Sequence, residues 1–130
     1  MKVLLDTNFL LIPGEFKVDI FDEFDRLINE KYELLTTDGV LRELKKLSEG
    51  SGRSSKAARL GLKFIKGKNI KVLKTKEDYV DKAILNLSQE FLKKNEKLAV
   101  ATLDKGLRKK VKGIGVKVIY LRNKKYLSIN

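Results

Sequence analysis

Short, unbroken apolar runs alternating with stretches of helical periodicity constrain this chain more than any other feature. Val3-Leu4-Leu5 and Leu98-Ala99-Val100-Ala101 are continuous apolar segments, the pattern of strands buried on both faces. Glu33-Leu34-Leu35-Thr36, Ile70-Lys71-Val72-Leu73 and Val116-Lys117-Val118-Ile119-Tyr120-Leu121 read as further strands, and Lys125 to Ile129 as a short final edge strand. Between them apolar residues recur at three- and four-residue spacing. Ile20, Phe21, Phe24, Leu27 and Ile28 mark a helix over 16–30, and Val40, Leu41, Leu44 and Leu47 mark one that Thr37 or Asp38 can cap. Ala57, Ala58, Leu60, Leu62, Phe64 and Ile65 mark a third that ends near Gly67, and Val80, Ala83, Ile84, Leu87, Phe91 and Leu92 mark the longest, over 77–94. A short basic helix follows over 104–112. Strands alternating with helices predict an α/β fold, three-layer α/β/α around a central parallel sheet of about five strands. Gly50-Ser51-Gly52-Arg53-Ser54-Ser55 is the clearest loop. With no repeat and no linker, residues 1–130 are expected to be a single domain.

Composition narrows the chemistry. The chain has no cysteine and no histidine, which removes disulfides, thiolate metal sites, His-ligated zinc and an imidazole base. Catalysis is left to carboxylates, hydroxyls, amines or a metal. No run approaches the length of a membrane span, and Met1-Lys2-Val3 leads directly into a strand with no room for a signal peptide, so a cytoplasmic protein is expected. The formal net charge is +12, with 35% charged residues against roughly 25% in typical domains. The charge is uneven. Residues 1–30 carry three basic and seven acidic side chains, whereas residues 105–130 carry nine basic and none acidic. A lysine-rich solvated surface accounts for this, and so does an electrostatic footprint for a phosphate backbone.

Within this basic chain four carboxylates are placed unusually. Asp6 and Asp104 follow apolar strands, at the carboxyl ends where ligands bind in open α/β sheets. Glu43 and Asp81 border the buried stripes of their helices. Taken singly, each has an ordinary reading: Asp104 as a helix cap, Glu43 and Asp81 as surface acids. Asp38 reads as a cap. Brought together, the four would repel. Two unit charges 4 Å apart cost about 4 kcal/mol at an effective dielectric of 20, a large share of a typical stability of roughly 5–15 kcal/mol. A cation would relieve this, and Mg2+ or Mn2+ suits carboxylate and water ligands. Such ions generate hydroxide from water and stabilise charge on phosphate, so the missing histidine is no obstacle.

Asp6 within Leu4-Leu5-Asp6-Thr7-Asn8, Glu43 within Asp38-Gly39-Val40-Leu41-Arg42-Glu43-Leu44, Asp81 within Tyr79-Val80-Asp81-Lys82-Ala83-Ile84 and Asp104 within Val100-Ala101-Thr102-Leu103-Asp104 together resemble the PIN-domain nucleases. The resemblance covers nearly the whole chain. The stretch from Gly115 to Arg122, ending in Lys125-Tyr126-Leu127, is similar to an archaeal branch of VapC-type ribonucleases, itself similar to the PIN nucleases of ribosomal RNA processing. One departure is Leu103, where many members have Asn. The resemblance implies that Asp6, Glu43, Asp81 and Asp104 bind one or two Mg2+ or Mn2+ ions and activate water for in-line attack on a phosphodiester of single-stranded RNA. It gives Asn8 and Thr102 the part of orienting the acids through hydrogen bonds, though both also read as turn or strand-end residues. It is compatible with a toxin-like or a ribosomal RNA processing role, with an antitoxin or ribosome-assembly partner, and with a homodimer formed through helix faces.

Lys105, Arg108 and Lys109 share a helical face just after Asp104, and Arg53 and Lys56 flank the Gly/Ser loop. These are the expected phosphate contacts, which give affinity but little sequence information. No aromatic pair is placed for base stacking; Tyr120 and Tyr126 read as sheet or edge packing. Two other functions fit less well. A non-catalytic RNA-binding or ribosome-assembly module has no use for a negative hole. A phosphotransfer domain with Asp6 as nucleophile leaves Glu43 and Asp81 without roles, and Asn8 stands where such a motif needs a second aspartate.

Overall fold

The computed structural model describes all 130 residues. Six strands form one sheet: β1 (Lys2–Leu5), β2 (Glu33–Thr37), β3 (Lys71–Leu73), β4 (Leu98–Ala101), β5 (Lys117–Arg122) and β6 (Tyr126–Ile129). Their order is β3-β2-β1-β4-β5-β6. The first five are parallel, and β6 returns antiparallel to β5 with Tyr120 opposite Ser128. The sheet is therefore mixed: the edge strand expected at 125–129 is present but antiparallel, so the sheet is not the purely parallel one expected. Asn123 and Lys124, both at positive φ, turn the chain between β5 and β6. β6 is pinned from outside the sheet: the Leu127 amide donates to Glu23 (2.7 Å), and the Arg26 guanidinium donates to the Leu127 carbonyl (2.7 Å).

Seven helices surround the sheet: α1 (Thr7–Leu10), α2 (Ile12–Phe16), α3 (Ile20–Leu27), α4 (Asp38–Ser48), α5 (Arg53–Gly67), α6 (Val80–Lys93) and α7 (Lys105–Gly113). Strand alternation divides the core. Val3, Leu5, Ala99, Ala101 and Ile119 face a cluster completed by Phe9, Phe24, Val40, Leu44 and Ala58. Leu4, Leu98, Val100 and Val118 face the other side, packed on Ile84, Leu107 and Val111 of α6 and α7. Three layers follow from the pleat of β1 and β4, whose apolar residues are buried on both faces.

The helices differ from the sequence expectation at two starts and by two additional short elements. The helix expected over 16–30 begins only at Ile20, because Lys17 turns left-handed (φ 56°) to end α2 and Asp19 caps α3 through the amides of Phe21 and Asp22. Residues 7–16 hold two short helices that apolar spacing did not announce. The long helix starts at Val80 rather than 77, since Glu77 instead accepts a hydrogen bond from the Asn86 side chain (2.6 Å). Thr37, not Asp38, caps α4 through the Val40 amide (3.1 Å). Asp38 binds the Thr75 hydroxyl (2.7 Å) and so fastens the segment after β3 to the start of α4. The α5 face formed by Ala57, Ala58 and Gly61 is buried within the chain, packed against α2, α4 and α1.

Candidate active site

Strand order reverses beside β1: the chain builds β2 and β3 on one side of it, then crosses to β4 and β5 on the other. The carboxyl ends of β1 and β4 open into a cleft there. Its volume is about 660 Å³, and Asp6, Glu43, Asp81 and Asp104 all line it.

Asp6 is the deepest, 4% exposed. It leaves β1 in an extended conformation, and its carboxylate accepts from the Thr7 amide (2.8 Å) and the Thr102 hydroxyl (2.6 Å). Burial pushes its pKa from 3.8 up to about 6; the hydrogen bonds from Thr102 and Thr7 oppose this, and the charges of Asp81 and Glu43 add to it. Thr102 is fully buried after β4 and works in both directions: its hydroxyl donates to Asp6 and accepts from the Asp104 amide (3.1 Å). Asn8 does not bond an acid. Its carbonyl oxygen accepts from the Leu103 amide (3.1 Å), which anchors the loop that carries Asp104.

Asp104 caps α7, accepting from the Leu107 amide (3.1 Å), while its carboxylate also borders the cleft. The cap reading and the cleft reading of this residue therefore hold together. Glu43, exposed on α4, accepts a hydrogen bond from the Thr7 hydroxyl. Asp81 stands in the first turn of α6. Although open to solvent, it is partly desolvated, and this raises its pKa; Asp104 and Glu43 raise it as well, and Lys110 counteracts them. Lys82 and Lys110 are the cleft's two cations.

The residues expected to meet phosphate lie elsewhere. Lys105, Arg108 and Lys109 are absent from the cleft lining, because Leu107 and Val111 define the inward side of α7. Arg108 lies over the Tyr120 ring, 5.1 Å from its centroid. Arg53 donates to the Glu15 carbonyl and ties α5 to α2, and Lys56 is exposed on α5.

An all-oxygen donor set of four carboxylates suits Mg2+ or Mn2+. The acids do not converge into a finished cage: no group of three or more is close enough to hold one ion by itself. Glu43 is drawn toward Thr7 and Asp104 toward the α7 N-terminus. Mg2+ does not need such a cage, since it keeps several waters and is held by one or two carboxylates. The donor chemistry and the frustrated charge on Asp6 fit a hydrated divalent ion.

The family model described as "PIN like domain" matches residues 3–124. The chain belongs to the PIN-like domain family. This PIN-like domain is 34% identical to Ribonuclease VapC4 of Methanocaldococcus jannaschii, over 98% of its own length and 95% of that protein's. Among solved structures it is similar to the PIN domain endonuclease Utp24, with a TM-score of 0.76, 26% identity, and coverage of 99% of this chain and 90% of that one. A structure of VapBC-1 from nontypeable Haemophilus influenzae shares the fold alone, with a TM-score of 0.52 and 14% identity over 87% and 94% of the two chains.

Within the PIN-like domain, the departure at Leu103 has a local explanation. Position 103 enters the site through its backbone amide, held by Asn8, while its side chain packs against the main core cluster. Sequence reasoning missed Thr7 as a partner of Glu43 and missed Lys82 and Lys110 as cleft residues. Lys110 had a usable signal, since it lies three residues beyond the buried Leu107. Thr7 had only its place after Asp6.

Proposed function

We propose that residues 1–130 form one nuclease domain, a Mg2+- or Mn2+-dependent endoribonuclease that hydrolyses phosphodiester bonds of single-stranded RNA. The observation that carries this reading is the ring of four carboxylates around one cleft at the switch point of a strongly basic chain. Near full-length similarity to a protein named as a ribonuclease supports it. A divalent ion bound there supplies Lewis acidity, lowering the pKa of water and neutralising charge that develops on phosphate.

The chain's own residues supply the rest. Asp6, Glu43, Asp81 and Asp104 hold the ion and its waters. Thr102 fixes Asp6 and the Asp104 backbone as one unit, Asn8 steadies the intervening loop, and Thr7 holds Glu43. Lys82 and Lys110, on the cleft wall, offset the charge of the incoming RNA backbone. A toxin-like role with an antitoxin partner and an RNA-processing role both fit this reading. An adjacent antitoxin-like gene decides for the former.

The test is cleavage of labelled single-stranded RNA. Cleavage with Mn2+ that stops on addition of EDTA and is lost in Asp6→Asn is the expected result. Cleavage that survives both chelation and the substitution overturns the reading.

A further inference from the structure

Tyr79 is the most exposed large apolar side chain of the protein, at 76%, and it stands on the lining of the acid cleft. The other three tyrosines are accounted for by the fold. Tyr32 donates to Asp25 and packs edge-on against Phe24, Tyr120 lies beneath Arg108, and Tyr126 belongs to edge strand β6. Tyr79 makes no side-chain capping bond at the start of α6. A bare aromatic face thus borders the same cleft as four carboxylates and two lysines.

We infer that Tyr79 is a stacking platform for an unpaired nucleobase flanking the cleaved phosphodiester. The inference rests on the nuclease reading and adds a specificity to it. Every base has a π-face, so stacking tolerates any sequence. It does require a base that is not already stacked inside a duplex, so the residue selects single-stranded over double-stranded RNA at one position. Lys82 and Lys110, which line the same cleft, hold the phosphates, while the ring fixes the register of the strand against the acids. Tyr79 is a positioning and specificity residue, and its loss is felt in binding more than in turnover.

Two measurements test this. The first is binding of a short labelled single-stranded RNA to protein carrying Asp6→Asn, which blocks hydrolysis. There, Tyr79→Ala is expected to weaken binding roughly tenfold, and Tyr79→Trp to restore it. The second is cleavage of oligonucleotides in which one abasic nucleotide is moved through the positions around the cut site. One flanking position is expected to raise KM about as much as Tyr79→Ala does, and to cause no further loss in Tyr79→Ala protein. Binding that is indifferent to Tyr79, or abasic penalties identical in the two proteins, overturns the proposal even if wild-type protein cleaves RNA. If wild-type protein fails to cleave but binding still depends on the ring, the nuclease reading falls and the stacking site stands. Unchanged thermal melting of Tyr79→Ala is the control, as expected for so exposed a side chain.

Discussion

At the level of single residues, Asp6 is stabilised by two hydrogen bonds and still destabilised by its burial. Its carboxyl titrates at about 6 in the folded chain against 3.8 normally, so the folded state keeps the proton longer. The stability this provides is complete below about pH 4 and is lost as pH rises through about 6, a difference of up to about 3 kcal/mol. Asp6→Asn should therefore stabilise the metal-free protein at pH 7.5 and lose that advantage near pH 4, as urea titrations in EDTA would show. An equal effect at both pH values would refute the account. Thr102 makes the converse case, because one hydroxyl serves two partners in a fully buried position. Thr102→Val keeps the shape and strands the Asp104 amide, so it should cost about 1–3 kcal/mol and lower activity 10- to 100-fold at roughly constant KM. Thr102→Ser should retain most of both.

Among the elements, of the two short helices after Asp6, α1 brings Thr7 and Asn8 to the cleft wall and α2 packs against α5. α2 lies so close to α5 that a Cβ on Gly14 would sit 2.6 Å from the Ala57 Cα. Alanine in a helix interior ordinarily stabilises relative to glycine; here Gly14→Ala should destabilise by about 1–3 kcal/mol, measurable as a lowered urea midpoint. These helices were not legible in the sequence. Phe9-Leu10-Leu11-Ile12 is a continuous apolar run without helical period, and Pro13-Gly14 reads as a break. Pro13 is tolerated only because it falls in the first turn of α2. The strands and the longer helices were legible because the period of their apolar residues matches the faces they bury. The four acids were legible as a set. Thr7 was not, since its part depends on how α1 meets α4, which no local pattern encodes; Lys110 was signalled only by its spacing from the buried Leu107.

Across the whole molecule, a net charge of +12 surrounds a cleft lined by four acids, so the protein attracts a polyanion globally and repels it locally until a cation intervenes. No helix is long and apolar enough to cross a membrane. The central strand β1 is made first, yet one of its two neighbours, β4, is added only after β2 and β3 and carries Thr102 and Asp104 just beyond its end. Residues 1–97 contain three of the four acids but lack the strand that seats Asp6. A chain truncated after Lys97 should cleave no RNA under conditions in which full-length protein does. Activity in that fragment would show that the acids assemble without β4. The order of the strands along the chain thus acts as a safety catch: the four acids cannot be set around one cleft until β4 and the loop that carries Asp104 have joined β1.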